Sequence, residues 1–408
     1  MKASSKGSSR LGTLLVAAFL TLVVALVAAG CGGGSSSTSD GGTEPAASES
    51  SGGAETEAAE SSGGESDTSS LVAEATEATP SKFEGPTEPA KAPSGIKMTV
   101  VTCNSALSGC VSPAEGLEKV GKVLGWDVTV LDGAGDPGKM NAAILSGISA
   151  GSDVIATTAI DPNLIQQGLK AAKKAGVPVV AGSNGIDSPN PVKEPEGGKL
   201  GYAFDVAPNY AALGEKVAQW VDGESDGSAN LALFSDKEFP SVLAVEVGLL
   251  KGLEECEGCT VSEPQYFTGT QVGAPLEQQT AGFLRSNPET EYLFSPYDPA
   301  AAVQVPAIQK AGLTNDVKVI GVLGSQQNLE FIRQEQVQAA DAAYDNNYMA
   351  WAIADQTIRL LDGQKLAEPH GENLPYVVLD KDNLPPEGQN WEAEFPYEKE
   401  FEALWGLK

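Results

Sequence analysis

Residues 153–184 read DVIATTAIDPNLIQQGLKAAKKAGVPVVAGSN, two short apolar runs separated by a longer amphipathic one. The runs Asp153–Thr158 and Pro178–Ala181 are rich in β-branched residues, which favour strands. Between them, the segment Asn163–Ala175 has a helical pattern, whose apolar face is formed by Leu164, Ile165, Leu169 and Ala172. The letters AGVP then stop the helix and start the second strand. This stretch predicts a β-α-β unit, and such units build parallel sheets with right-handed crossovers.

The same alternation continues on both sides of this unit. The other predicted strands of the first half are Lys97–Thr102, Asp127–Leu131 and Leu200–Phe204. After Ala207 the pattern starts again, with strands at Asn230–Phe234, Thr260–Phe267, Glu291–Ser295 and Val317–Val322 and helices at Tyr210–Val221, Ser241–Leu253, Ala274–Arg285 and Pro299–Ala311. Roughly 310 residues follow the start of this pattern, enough for two domains. We therefore predict an α/β fold of two doubly wound parallel-sheet lobes, with a ligand cleft at the carboxyl ends of their strands.

Four segments carry a resemblance to a known family. They are DVIATTAIDP at 153–162, KAGVPVVAGSN at 174–184, YLFSPYD at 292–298 and VIGVLG at 319–324. With the order of the elements, they make residues 96–382 similar to the type I periplasmic binding proteins, in particular to their ribose-type sugar-binding branch. The resemblance implies two lobes joined by a hinge that the chain crosses three times, near residues 205–207, 343–345 and 375–377.

The resemblance also implies the bounds of the lobes. The N-terminal lobe would comprise residues 96–205 and 344–374. The C-terminal lobe would comprise residues 206–343 and 375–385. Residues 386–408 remain as a C-terminal extension to which the resemblance assigns no role.

Ligand contacts are expected just after the strand ends. The candidates are Asn104, Ser105, Asp161, Ser183, Asn184, Asp236, Phe239, Phe267, Tyr297, Asp298, Tyr344 and Asp345. Asp161 and Asp298 each precede a proline and equally suit helix caps. Phe267 also suits a strand core, Asp345 a helix cap, and Asn184 a Gly-Ser-Asn-Gly turn.

The arginines constrain the chemistry of the ligand. After the first thirty residues the chain has three, all in helical patterns away from strand ends: Arg285, Arg333 and Arg359. No guanidinium is therefore expected to bind a carboxylate or phosphate in the cleft. Aromatic residues would suit an apolar ring face or a cation, namely Tyr266, Phe267, Tyr297 and Tyr344. We expect a neutral or cationic ligand.

The N-terminus resembles a bacterial lipoprotein signal. MKASSKGSSR has three basic residues and no acid, and an apolar stretch from Leu11 to Ala29 follows it. Small residues directly precede Cys31, so residues 1–30 are predicted to be a signal peptide and Cys31 the lipidated anchor. An uncut membrane helix is the alternative, since ~20 apolar residues span a bilayer. Residues 31–94 are mostly Gly, Ser, Thr, Ala, Glu and Pro, a composition that predicts a disordered tether.

Four further cysteines predict two local disulfides in an exported chain, Cys103–Cys110 and Cys256–Cys259. The C-x-x-C spacing of the second pair also occurs in zinc sites. Such a site needs a second pair or histidines, and the sequence has one histidine, His370. We therefore predict no metal and no cofactor.

Charge and motifs narrow the function. The formal charge of −29, from 55 acids and 26 bases, disfavours nucleic acid as a partner. A single histidine and the lack of a nucleophile elbow, an H-E-x-x-H helix or a P-loop argue against an enzyme. We predict a monomeric, extracytoplasmic, lipid-anchored solute-binding protein. It would deliver a small, sugar-like carbohydrate or polyol to an ABC transporter permease. The alternatives are a ligand-sensing receptor of the same fold and a binder of a non-sugar neutral or cationic solute.

Overall fold

The structure, a computed structural model, describes residues 68–185 and 201–407. The predicted signal peptide, Cys31, the tether up to residue 67 and Leu200 lie outside the described residues. No helix in the described ranges is long and apolar enough to cross a membrane.

The first described element is helix α1 (Thr68–Thr76), and a five-stranded sheet follows it. The elements of this part are β1 (Lys97–Thr102), α2 (Ser108–Leu124), β2 (Asp127–Asp132), α3 (Pro137–Ala150), β3 (Val154–Thr158), α4 (Gln166–Ala175), β4 (Val179–Gly182) and β5 (Asp205–Val206). All strand pairs are parallel, in the order β2-β1-β3-β4-β5. Gly176 ends α4 in the left-handed region, with φ 73°, and donates its N–H to the last carbonyls of the helix. This sheet and its helices form the N-terminal lobe.

A seven-stranded sheet forms the C-terminal lobe. The next elements are α5 (Tyr210–Glu224), β6 (Asn230–Asp236), α6 (Pro240–Leu253), β7 (Thr260–Val261), β8 (Gln265–Phe267), α7 (Ala274–Ser286), β9 (Tyr292–Phe294), α8 (Asp298–Lys310), β10 (Lys318–Leu323), α9 (Gln326–Arg333), β11 (Gln338–Tyr344), α10 (Asn346–Asp362), β12 (Tyr376–Leu379) and α11 (Tyr397–Leu404). The strand order is β12-β11-β10-β9-β6-β7, and β8 also pairs with β6. Only β12 is antiparallel to its neighbour.

These sheets confirm the predicted α/β fold, with differences at the ends of elements. The strand predicted at 260–267 is split into β7 and β8, because Pro264 between them has no N–H to donate to the ladder. The helix predicted at 163–175 begins with a 3-10 turn, Pro162–Ile165. The fifth strand lies at Asp205–Val206, just after the predicted range.

The central chain crosses between the lobes three times. After β5 it enters α5, which packs against α6 and β12 of the C-terminal lobe. After β11 it returns to α10, which packs against α2, β4 and β5 of the N-terminal lobe. It then crosses back to β12. These crossings lie at the three positions where the resemblance puts the hinge.

The described part of the predicted tether, residues 68–94, is folded, which corrects that prediction. Helix α1 packs against α5 and β12, and Lys216 donates to its last carbonyls. Thr79 then forms a β-bridge with Tyr376. Further along, Arg359 of α10 donates to the carbonyl of Glu88 at 2.8 Å. Residues 68–95 therefore run from the C-terminal lobe to the N-terminal lobe.

The C-terminal extension also spans both lobes. The N–H of Trp391 donates to the carbonyl of Gly324 in the C-terminal lobe. Beyond it, the Trp405 ring stacks on Trp351 of α10, with centroids 5.2 Å apart, and its Nε1 donates to Asp355 at 2.7 Å. The two terminal segments thus add two crossings to the three of the hinge.

Both predicted disulfides are present, each with Cα atoms 5.4 Å apart. Cys103–Cys110 joins the end of β1 to the first turn of α2. Cys256–Cys259 lies in the loop before β7, beside Asp222. Because the two sulfurs of that pair are bonded to each other, they offer no thiolate to a metal ion.

Candidate ligand-binding site

A pocket lies between the lobes, where the strands of both sheets end. Its walls are formed on the N-terminal lobe by Leu107, Gly109, Cys110, Ala159 and Ser183, and on the C-terminal lobe by Tyr210, Phe239, Ser241, Val242, Val245, Pro296, Tyr297, Pro299, Val322, Leu323 and Tyr344. It contains about 470 Å³ of unfilled space, part of it open to solvent.

The walls of this pocket are mainly apolar, and none of the residues that form them carries a charge. Their polar side-chain groups are hydroxyls, from two serines and three tyrosines. A hydroxyl both donates and accepts hydrogen bonds. The pocket therefore suits an uncharged ligand.

Three of these hydroxyl-bearing residues form a cluster at the hinge end of the pocket. Ser183 Oγ lies 3.0 Å from the Tyr210 hydroxyl, and the Tyr210 and Tyr344 rings meet edge to face at 5.4 Å. Burial raises the pKa of Tyr344 and holds that of Tyr210 well above its ordinary value. All three groups are therefore neutral hydrogen-bonding partners at physiological pH.

A second cluster surrounds Tyr297. Its ring meets those of Phe239 and Phe267 edge to face, at 5.9 and 5.8 Å. Its hydroxyl donates to Asp236 at 2.9 Å, and the other oxygen of that carboxyl accepts the N–H of Glu238. Burial raises the pKa of Asp236 to about 6. The carboxyl is thus engaged by the protein and holds the Tyr297 ring in the pocket wall.

Three residues of the wall have a left-handed backbone at or just after a strand end. They are Ala159, with φ 52°, Ser183, with φ 68°, and Leu323, with φ 134°. Such conformations are strained for residues with a side chain, and they cluster at functional sites.

Two buried carboxyls hold the loop after Leu323. The N–H of Gly324 donates to Asp341 at 2.8 Å, and that of Ser325 to Asp298 at 2.7 Å. Burial, with Asp341 alongside, raises the pKa of Asp298 well above its ordinary value. The pair thus fixes the strained loop from behind the pocket.

The twelve predicted contacts divide into three groups. Ser183, Phe239, Tyr297 and Tyr344 line the pocket. Behind the wall lie Asn184, Asp236, Phe267 and Asp298, all buried. Asn184 donates to Asp205 at 3.2 Å, and its Oδ1 has no partner in the described chain.

The remaining four predicted residues make local contacts and do not line the pocket. Asn104 accepts the N–H of Ala106, and Ser105 donates to Asp132. Asp161 caps its 3-10 turn through Asn163. Asp345 caps α10, as the alternative reading of that residue expected.

Sequence reasoning also proposed Tyr266 for an apolar ring face or a cation. This ring lies outside the pocket wall, 39% exposed. Lys237 of the same chain lies over it, with Nζ 3.6 Å from the centroid. The ring already has an intramolecular cation partner.

Several wall residues were not predicted. Tyr210 begins α5, and Val242 and Val245 lie in the first turns of α6. Only their positions could have identified them, because each of these residues follows a strand end or lies near the start of a helix at the cleft. Side-chain polarity does not distinguish apolar residues of a pocket wall from those of the core.

Comparisons with known proteins agree with this architecture. The profile of a family described as periplasmic binding protein domain matches residues 100–365, more than half of the chain. No curated protein matches the sequence.

Many solved structures share the fold. A solute-binding protein of an ABC transporter from Mycobacterium smegmatis, with bound glycerol, is 19% identical, with a TM-score of 0.62 over 73% of this chain and 100% of that one. One from Agrobacterium vitis with bound allitol is 18% identical, with a TM-score of 0.60 over 71% and 97%. An ABC sugar transporter subunit from Rhodobacter sphaeroides 2.4.1 is 17% identical, with a TM-score of 0.60 over 71% and 99%. At these identities the likeness concerns the fold alone.

Proposed function

The chain belongs to the periplasmic binding protein domain family, and from that premise we propose that it is an extracytoplasmic solute-binding protein that delivers a small, sugar-like ligand to the permease of an ABC importer. Members of this family are transport binding proteins, and the chain is a binding protein rather than an enzyme. Sugar alcohols and sugars bound to neighbours of the same fold support the ligand class.

The observation that carries the proposal is the position of the pocket. Its walls come from both lobes, and the central chain crosses between the lobes beside it, at Tyr344 and just before Tyr210. A ligand there contacts both lobes only when they are closed. It stabilises the closed form to the extent that it binds this form better than the open one. The closed shape is what the permease would recognise.

We further propose that Cys31 is lipidated and anchors the protein to the outer face of the bacterial cell membrane. The small residues before Cys31 and the apolar stretch before them support this. Growing cells with a radiolabelled fatty acid tests it. The wild-type chain should incorporate label and a Cys31→Ser variant should not; equal labelling would place the lipid elsewhere.

Thermal melting with a solute panel tests the binding function. The chain from Gly64, which keeps the compact unit intact, is melted with monosaccharides, polyols, amino acids, nucleosides and quaternary amines. A ligand at ~100 times its Kd adds about 2.7 kcal/mol to the free energy of unfolding. A shift with a monosaccharide or polyol supports the proposal. A shift with amino acids or quaternary amines alone would contradict the ligand class.

A further inference from the structure

Resting on the proposed solute-binding function, we infer that the ligand is an uncharged ring that carries hydroxyls along one edge only and has fewer of them than a common monosaccharide. Its polar edge would face the hydroxyls of Ser183, Tyr210 and Tyr344. Its remainder would lie against apolar side chains of both lobes.

The apolar part of the pocket carries this inference. Apart from the hydroxyl cluster, the wall is mainly apolar and includes Leu107, Phe239, Val242, Val245 and Leu323. These side chains offer no hydrogen bond. A ligand hydroxyl that loses water there without a new partner costs ~1–3 kcal/mol. A ring with hydroxyls all round its edge would incur this cost more than once, and a ring with a bare edge would not.

The polar side of the pocket is small and made of hydroxyls. Ser183, Tyr210 and Tyr344 are buried and close to one another. Because each hydroxyl can donate or accept, the cluster can pair with one or two neighbouring ligand hydroxyls. The two tyrosine rings also add apolar surface beside those pairs.

Two carboxyls near the pocket, those of Asp205 and Asp236, are engaged by the protein itself. Both oxygens of Asp205 accept backbone N–H groups, from Asn184 and Gly185, and the Asn184 side-chain amide donates to the carboxyl as well. Asp236 accepts from Tyr297 and from the backbone of Glu238. They serve the fold, and the pocket wall itself has no charged group to accept several ligand hydroxyls.

Matched ligand pairs test the inference on the full-length chain in lipid nanodiscs, with affinity measured by isothermal titration calorimetry. The pairs are D-galactose with D-fucose, which lacks one hydroxyl, and myo-inositol with trans-1,2-cyclohexanediol. We expect the member with fewer hydroxyls to bind at least tenfold more tightly in each pair that binds. A preference for the fully hydroxylated member would overturn the inference and leave the solute-binding proposal intact. Lack of binding by all four compounds, together with a shift by another, fully hydroxylated sugar in the solute panel, would overturn the inference alone.

A variant of the wall provides an independent readout. Val242→Thr adds a hydroxyl to the apolar side with little change in volume, and should reduce the preference for the less hydroxylated member about five- to tenfold. Val247→Thr is the matched control, because Val247 lies on the same helix but is 39% exposed and outside the wall. An unchanged preference in Val242→Thr, or an equal change in both variants, would count against the inference.

Discussion

Leu323 of the C-terminal lobe lies across the cleft against Gly109 of the N-terminal lobe: a Cβ built on the glycine would be 3.2 Å from Cδ2 of the leucine. The lobes therefore meet so closely here that a side chain at position 109 would have to displace the Leu323 side chain by at least a few tenths of an ångström. A second contact of this kind joins Leu107 to Gly269, whose built Cβ would lie 3.3 Å from the leucine Cδ1. The opposite lobe favours a small residue at position 109, whereas the backbone of Gly109, which has no positive φ, would accept a larger one.

Replacing Gly109 by valine should keep the lobes from closing. Packed interiors do not compress, so the new side chain has to displace Leu323 or hold the cleft open. We expect at least tenfold weaker ligand binding and a larger radius of gyration with ligand in small-angle X-ray scattering. Gly282→Ala, at a helix position with open space around it, should leave both unchanged. Wild-type affinity and scattering in Gly109→Val would contradict the closed-cleft interpretation.

Removal of residues 64–95 should destabilise the protein. The shortened chain loses helix α1, the Thr79–Tyr376 bridge and the hydrogen bond from Arg359 to Glu88. We expect a loss of ~3 kcal/mol or more, which lowers Tm by about 4 °C or more in a chain of this size. The measurement compares residues 64–408 with residues 96–408 by calorimetry. Equal melting temperatures of the two chains would mean that residues 64–95 do not pack against the lobes in solution.

The two disulfides should differ in their effect on binding. A short closed loop contributes ~2–3 kcal/mol through the unfolded chain. Replacing Cys103 and Cys110 by serine should cost stability of this order and also weaken ligand binding, because Leu107, Gly109 and Cys110 are in the pocket wall. Replacing Cys256 and Cys259 should cost stability alone. Calorimetry with and without ligand separates the loss of stability from the loss of binding. Equal losses of binding in the two variants would contradict the prediction that only the Cys103–Cys110 disulfide supports the pocket wall.

The Tyr297→Phe substitution should lower both the free energy of unfolding and the affinity for the ligand. It removes the hydroxyl that donates to the buried carboxyl of Asp236. A buried acceptor without a partner costs ~1–3 kcal/mol. Tyr292→Phe is the control, since the Tyr292 ring is also buried but lies outside the pocket wall. Denaturant unfolding should show the larger loss for Tyr297→Phe; similar losses would argue against a structural role for the Tyr297–Asp236 bond.

Stability should fall as the pH rises from about 4 to about 7. Asp345 accepts the N–H groups of Tyr348 and Ala393, and burial raises its pKa from 3.8 to about 7. Between these values the folded chain keeps a proton that the unfolded chain has lost. Its stabilising contribution is complete below pH 3.8 and is lost as the pH rises through about 7.

Denaturant titrations at several pH values check this. The Asp345→Asn variant should show a shallower decline than the wild type, with a difference on the order of a few kcal/mol at most. Asp236, whose pKa is raised to about 6, contributes in the same direction below that pH. Asp316→Asn, at an exposed position, is the control. If the stability of Asp345→Asn declined with pH as steeply as that of the wild type, the Asp345 carboxyl would not be protonated in the folded protein.

The sequence alone sufficed for the architecture, because periodicity and stop signals are local. Asp153–Thr158, Asn163–Ala175 and Pro178–Ala181 were placed within a few residues of β3, α4 and β4. The disulfides followed from the even number of cysteines in an exported chain and from the short separation within each pair. Where a local rule was missed, as at Pro264, the error was confined to one strand.

The amino-acid composition of residues 68–94 led to a wrong prediction of disorder. Residues 68–94 are poor in large apolar side chains, yet Ala75 and Ala90 are buried there. Small residues bury well only against a surface that other parts of the chain provide. That surface consists of α5, β12 and α10, which lie far away in sequence, so no local pattern could show it.

The sequence by itself determined the two-lobed α/β fold and the cysteine pairs, and it predicted a neutral or cationic ligand. Only the tertiary structure decided which side chains form the pocket wall. It turned Asp205 and Asp236 toward the backbone, brought Tyr210 beside Tyr344, and placed Leu323 against Gly109. The physical reason is that strands and helices follow from patterns along the chain, whereas a pocket depends on which residues of distant strand ends meet when the sheets pack and the lobes close.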